Sequence, residues 1–139
     1  MTAATSTHNI ATVQALYAAF GRGDIAYILE RVAENVDWNN KKSAAGDIPW
    51  NGNFSGRKHV PDFFTALAQN TEFSVFEPKD YLQNDRQVAV RLRIELTVKK
   101  NDRKIASDVM HLWTFDDKGM VTAYRRFNDT AAEAAAWWG

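Results

Sequence analysis

Two stretches near the carboxyl end of the chain alternate apolar and polar residues. The first runs from Ile105 to Phe115 and the second from Val121 to Phe127. A short polar segment that ends in Gly119 separates them. Alternation of this kind around a glycine-ended turn is typical of a β-hairpin. The sequence therefore predicts two antiparallel strands at this position.

The register of this hairpin decides which side chains share a face. We expect Phe115 to pair with Met120, and directly paired residues lie on the same side of a sheet. The predicted pairs on one face are Trp113 with Thr122, His111 with Tyr124, and Val109 with Arg126. The opposite face then carries Asp108, Met110, Leu112, Ala123 and Arg125.

The preceding strand indicates which face is buried. From Val88 to Val98 every second residue is apolar. A two-residue turn at Asn101 and Asp102 would pair Leu92 with His111, so that the apolar side joins the His111 face. A slip of one residue would put charged side chains there instead. A few polar groups on an apolar concave surface are the composition expected of a small-molecule pocket.

The rest of the chain predicts helices before strands. We expect a helix over residues 8–20 capped by Ser6 or Thr7, and then a short helix capped by Asp24 with Val32 on its inner side. A strand at 36–39, a helix over 58–69 and a strand at 73–83 that is broken near Pro78 should follow. The last helix should be capped by Thr130, with Glu133 in the capping box. Helices followed by antiparallel strands indicate an α+β fold.

Residues 40–55 form the longest irregular stretch. A loop of this length in a compact domain is often functional. Its aromatic residues, Trp50 and Phe54, favour the interpretation that the loop is a lid that covers a pocket. The alternative is that both side chains simply cover the edge of the core.

Composition narrows the function classes. The 139 residues suit a single domain spanning 1–139, and 17 basic and 17 acidic residues give a formal net charge of zero. Scattered basic residues disfavour a nucleic-acid partner, and no segment has the length of a membrane span. We expect a soluble, cytoplasmic protein without a membrane partner or a cofactor. The three histidines, His8, His59 and His111, lack a ligand-like spacing, so we expect no metal.

Three segments carry a resemblance to a known family: VQALYAAFGRGDIAYILERVAENVDW, IPWNGNFSGRKHVPDFFTALA and HLWTFDDKGMVTAYRRFNDTAA. They resemble the SnoaL-like branch of the nuclear transport factor 2-like superfamily, which includes ketosteroid isomerases, polyketide cyclases and limonene-epoxide hydrolases. The resemblance implies a cone-shaped α+β fold. A barrel-like, curved antiparallel or mixed sheet would hold three N-terminal helices on its concave face, around a deep pocket.

The catalytic residues of these relatives do not carry over. Where the resemblance implies the carboxylate base of the ketosteroid isomerases, this chain has Asn40. Leu16 stands at the position of their oxyanion tyrosine, and His111 at that of their protonated carboxylic acid. The positions that correspond to the epoxide hydrolase water-activating set are Leu92, Ile94 and Arg126. Neither residue set is preserved.

The candidate chemistry therefore centres on His111, with Tyr124 and Arg126 beside it. Histidine suits proton transfer at neutral pH, and an arginine can stabilise a carboxylate or an oxyanion. The alternative is a core histidine that is hydrogen-bonded to Tyr124. The other predicted pocket residues are Tyr17, Trp38, Asn40, Trp50, Phe54, Phe63, Leu92, Val109, Trp113 and Asn128.

Two function classes follow for this pocket. One is a small-molecule isomerase, cyclase or hydratase that uses His111 as acid or base. The other is a non-catalytic module for ligand binding or dimerisation. The expected ligand is small and apolar, with a carbonyl or carboxylate oxygen.

The outer face of the sheet predicts an assembly. It combines three arginines with two apolar side chains, namely Arg91, Arg93, Arg125, Met110 and Leu112. This face is more apolar than a solvated sheet face usually is. Since two-fold dimers are the commonest oligomers, we expect a homodimer.

Overall fold

The computed structural model describes residues 2–38 and 48–139 of the chain. Its elements are α1 (Thr2–Gly21), α2 (Ile25–Leu29), β1 (Val32–Trp38), a 3-10 turn (Arg57–His59), α3 (Val60–Asn70), β2 (Thr71–Gln83), β3 (Gln87–Val98), β4 (Arg103–Phe115), β5 (Val121–Phe127) and α4 (Thr130–Trp138). Asn40 and the first half of its predicted loop, residues 40–47, lie outside the described residues.

The five strands form one mixed sheet in the order β1-β5-β4-β3-β2. β1 runs parallel to β5, and every other neighbouring pair is antiparallel. The sheet is curved and unclosed, and α1 and α3 pack against it. The predicted α+β class is confirmed. None of the helices in the described ranges combines the length and apolarity needed to cross a membrane.

The predicted pairing of β3 with β4 is wrong by two residues. Leu92 lies opposite Val109, and Val90 rather than Leu92 lies opposite His111. The connection is the four-residue segment 99–102, in which Asp102 has a φ of 58°. Because side chains alternate with a period of two, this error leaves every residue on its predicted face.

The pairing of β4 with β5 is displaced by the same amount. His111 lies directly opposite Arg126, and Trp113 lies opposite Tyr124. At the turn Phe115 lies opposite Val121 and not Met120, and an irregularity between Thr114 and Phe115 adds the second residue of the displacement. The predicted inner face is therefore correct, although Arg126 is the direct neighbour of His111 and not a diagonal one.

Three predicted boundaries at the amino end also differ. The helix predicted over 8–20 begins at Thr2, so Ser6 and Thr7 do not cap it. Val32 belongs to β1, which is longer than the predicted strand at 36–39. Asp24 does cap α2, where its side chain accepts a hydrogen bond of 3.1 Å from the backbone of Tyr27. Apolar residues such as Val32 suit a helix face and a strand face equally well, so the boundary between them was ambiguous.

The carboxyl-terminal helix is capped by Asp129 and not by Thr130. The Asp129 side chain accepts a hydrogen bond of 3.0 Å from the backbone nitrogen of Ala132, and Thr130 is the first helical residue. Glu133 therefore has no capping role and is 4% exposed. Two adjacent cap formers produced the misassignment, because either residue fits the start pattern.

This cap yields a stability test. Asp129→Ala should lower the free energy of unfolding by about 1 kcal/mol, because an N-terminal amide of α4 loses its acceptor. Thr130→Ala should change it by less than about 0.5 kcal/mol. Urea unfolding of the two variants measures both values. If Thr130→Ala is the more damaging, Thr130 is the cap after all.

The helices and the inner face of the sheet bury a common core. The fully buried residues include Val13 and Leu16 of α1 and Val88, Val90 and Leu92 of β3. The outer face instead carries ion pairs. Arg91 lies 2.7 Å from Asp80 and 3.5 Å from Asp108, and Arg125 pairs with Asp37. The inner face is thus the buried face of the sheet, and the few polar side chains on it need a separate explanation.

Candidate functional site

A cavity lies between the helices and the inner face of the sheet. Of the predicted site residues, those that line it are Tyr17, Trp38, Trp50, Phe63, Val109, His111, Trp113, Tyr124, Arg126 and Asn128. The cavity volume is about 70 Å³. A single water needs roughly 10 to 15 Å³ on this scale. The space therefore suits a compact ligand.

Two predicted residues do not line the cavity. Leu92 is completely buried in the core and lies opposite Val109 and not His111. Phe54 instead packs its ring 5.6 Å from that of Phe63, which does line the cavity. Ile94 and Phe76 are among the residues that line the cavity instead.

The polar centre of the cavity is a hydrogen-bonded chain of four aromatic side chains from three elements. The hydroxyl of Tyr17, on α1, lies 2.9 Å from Nδ1 of His111, on β4. The hydroxyl of Tyr124, on β5, lies 3.2 Å from Nε2 of the same imidazole. The indole nitrogen of Trp113 donates to the Tyr17 hydroxyl over 3.0 Å. Tyr17, which the sequence predicted as a pocket residue, is thus hydrogen-bonded to His111 and Trp113 in the cavity.

Burial determines the protonation states of His111 and of the two tyrosines that contact it. Desolvation, with a smaller effect of the nearby Arg126 charge, lowers the pKa of His111 to about 3. Desolvation raises the pKa of Tyr124 to about 12, although Arg126 opposes it, and also raises the pKa of Tyr17. At neutral pH the imidazole is therefore neutral, and both tyrosines keep their hydroxyl hydrogens.

The hydrogen-bonded chain of side chains has one more donor hydrogen than it has contacts between its members. Trp113, Tyr17, neutral His111 and Tyr124 each contribute one donor hydrogen, which makes four. Only three contacts join these groups. Whichever imidazole nitrogen carries the proton, the fourth hydrogen sits on the hydroxyl of Tyr17 or Tyr124. Both side chains line the cavity, so a donor remains for a ligand.

A second polar group, which the sequence analysis missed, surrounds Glu133. Its Oε1 accepts a hydrogen bond of 2.5 Å from the amide of Asn51. Its Oε2 accepts 2.8 Å from the amide of Asn128 and lies 3.4 Å from a guanidinium nitrogen of Arg126. Arg126 also donates to Oδ1 of Asn51 over 2.5 Å. The helix pattern placed Glu133 in a capping box, and this assignment concealed a buried carboxylate.

The described part of the long loop, residues 48–55, closes one side of the cavity. Trp50 is 1% exposed, and its ring centre lies 5.5 Å from that of Trp137 on α4. Lys100 lies 3.7 Å from the centre of the Trp137 ring. Loop, α4 and the β3–β4 turn thus meet at this wall. Movement of the loop as a lid stays a prediction.

Comparison with known proteins places these features in a family. The family profile described as a SnoaL-like domain matches residues 13–124. No curated protein sequence matches the chain.

Solved structures share the fold over nearly the whole chain. A nuclear transport factor 2-like protein from Burkholderia xenovorans LB400 is 26% identical with a TM-score of 0.83, covering 94% of this chain and 96% of its own. A similar protein of unknown function from Burkholderia pseudomallei K96243 is 22% identical with a TM-score of 0.82, covering 92% and 95%. TerC, co-crystallised with polyporic acid, is 22% identical with a TM-score of 0.77, covering 94% and 98%.

Proposed function

Since the chain belongs to the SnoaL-like family, we propose that its cavity binds a compact, apolar carbonyl compound and polarises the carbonyl group. The proposal rests on the unused hydroxyl hydrogen of the Tyr17–His111–Tyr124 chain. A donor held in a buried, apolar site can stabilise negative charge that develops on an oxygen. The structural neighbour TerC was crystallised with a small molecule, polyporic acid, which also favours a small-molecule ligand here.

His111 then acts as a positioning residue. A neutral imidazole whose two nitrogens both contact tyrosines has no free position for a substrate proton. Its pKa of about 3 also makes it a weak base. It can instead transmit hydrogen bonding from Trp113 and Tyr17 to Tyr124, so that the spare hydrogen is oriented. We therefore favour this role over acid-base catalysis by His111.

The pairing of Arg126 with Glu133 favours a neutral carbonyl ligand over a carboxylate ligand. Arg126 lies 3.4 Å from Glu133, and their side chains are only 14% and 5% exposed. A carboxylate ligand would have to displace Glu133 or approach it against charge repulsion. Isothermal titration calorimetry should therefore show tighter binding of acetophenone than of benzoate. Tighter binding of benzoate would restore Arg126 as an anion anchor.

The carbonyl proposal has a direct binding test. Acetophenone should bind about fivefold to tenfold more tightly than ethylbenzene, since one neutral hydrogen bond is worth about 1 kcal/mol. Tyr17→Phe/Tyr124→Phe should remove this preference and still bind ethylbenzene.

A matched control uses two tyrosines outside the cavity. Tyr27→Phe/Tyr81→Phe removes the same two atoms and should keep the preference for the ketone. If the wild type binds both compounds equally, the proposed function fails. The same holds if the cavity variant keeps the preference.

We also propose that two copies pair through the outer face of the sheet. Phe127 of β5 is 43% exposed and lies opposite Met110 in the register. An exposed ring beside a partly buried methionine, with arginines around them, is suited to a two-fold contact. Light scattering should give a mass near twice 15.7 kDa. Phe127→Glu should give a monomer, whereas a monomeric wild type at high concentration would contradict the proposal.

A further inference from the structure

We infer that Glu133 is the proton acceptor of the cavity and removes a hydrogen from the carbon next to the ligand carbonyl. This inference rests on the proposed function, because it needs a carbonyl ligand in place. It adds a proton-transfer step to the polarisation of the carbonyl group. The tyrosine hydrogen polarises the oxygen, and Glu133 supplies the base that the sequence did not reveal.

The hydrogen bonds of Glu133 leave one basic position open. A carboxylate has two oxygens and about four lone-pair positions. Asn51 occupies one position on Oε1, while Asn128 and Arg126 occupy two on Oε2. The remaining lone pair belongs to Oε1. Glu133 is itself one of the residues that line the cavity.

The surroundings of Glu133 suit a base. The three donors hold the carboxylate in one orientation. At 4% exposure it is almost free of bulk water, which would otherwise compete for the lone pair. Proton transfer by a positioned carboxylate of this kind contributes typically 10²- to 10⁴-fold to a rate.

The other ionisable groups among the described lining residues are unsuited to this role. His111 is neutral, and both of its ring nitrogens are engaged. Tyr17 and Tyr124 have raised pKa values and remain protonated. Arg126 is a cation and can accept no proton. Glu133 is thus the one carboxylate that this part of the chain brings to the cavity.

The step balances without a further reactant. The C–H bond next to the carbonyl breaks, and its proton forms an O–H bond with Oε1 of Glu133. The electron pair of the C–H bond becomes a C=C bond, and the carbonyl π pair moves to the oxygen. The tyrosine hydrogen bonds to the resulting enolate oxygen. The reverse step returns a proton to carbon and restores the carboxylate.

Exchange of the methyl hydrogens of acetophenone for deuterium tests this step. In D₂O the wild type should exchange them faster than buffer, as followed by proton NMR. Glu133→Gln should slow the exchange at least a hundredfold. Its affinity for acetophenone should stay within about threefold of the wild type. Glu30→Gln, at a carboxylate whose side chain is 70% exposed, should leave the rate unchanged.

A second variant guards against loss of folding. Arg126→Met/Glu133→Leu replaces the ion pair by apolar groups, and it should bind acetophenone without exchanging its hydrogens. A folded, acetophenone-binding variant of either kind that exchanges at the wild-type rate overturns the assignment of Glu133. A wild type that binds acetophenone without exchange overturns it too, while the carbonyl-binding proposal stands. A wild type that does not bind acetophenone overturns both.

Discussion

Acidification from pH 7 to pH 4 should cost this protein about 3 kcal/mol of stability through His111 alone. The folded state holds the pKa of His111 at about 3, whereas the unfolded chain has the ordinary value of 6.5. Between these values the unfolded state binds a proton that the folded state does not. Each pH unit below 6.5 therefore removes about 1.4 kcal/mol. The contribution is fully present above pH 6.5 and is lost as the pH falls towards 3.

The matched variant for this effect is His111→Gln. A glutamine side chain can accept one hydrogen bond and donate another, but it does not titrate. Carboxylates also titrate near pH 4, so the useful quantity is the difference between wild type and variant. Urea unfolding at several pH values should show that the wild-type advantage shrinks by about 3 kcal/mol between pH 7 and pH 4. Parallel losses in the two proteins would mean that His111 is not held neutral.

Removal of the Glu133 carboxylate should be the most damaging single substitution near the cavity. Glu133→Leu should lower the free energy of unfolding by about 3 to 5 kcal/mol, because Arg126 keeps its buried charge without its carboxylate partner. The amide of Asn128 also loses the oxygen that it contacts at 2.8 Å. Thermal and urea unfolding measure this loss.

The double variant Arg126→Met/Glu133→Leu separates charge from packing. Apolar residues of similar volume can replace a buried ion pair at little cost. The double variant should therefore recover most of the stability that Glu133→Leu loses. If the double variant is as unstable as the single one, the loss arises from packing around α4 and not from an unpaired arginine.

The faces of the strands could be predicted from the sequence, but their registers could not. A period-two pattern places His111, Tyr124 and Arg126 on one side regardless of a two-residue slide. The slide itself depends on the length of the 99–102 turn and on the irregularity after Thr114. Neither feature has a strong signature in the local sequence. Both decide which residue faces His111.

Two features of the site could not be predicted, for different reasons. Tyr17 was predicted to line the pocket, but it lies on a helix whose inner stripe is otherwise apolar, so its hydroxyl gave no sign of a partner 94 positions away. Glu133 matched the helix-start pattern, so the sequence assigned it to a capping box and not to the cavity. Its partners Asn51 and Asn128 come from separate segments that only the fold brings together. Polar clusters built from distant residues have no local periodicity to reveal them.

The carbonyl signal of a bound ketone tests the central proposal most directly. Acetophenone that carries ¹³C at the carbonyl carbon reports hydrogen bonding to its oxygen as a downfield shift in ¹³C NMR. In the wild type the bound signal should lie downfield of the signal in a hydrocarbon solvent. In Tyr17→Phe/Tyr124→Phe it should return towards the hydrocarbon value. A bound wild-type signal at the hydrocarbon position would contradict the assignment of the spare tyrosine hydrogen to the ligand.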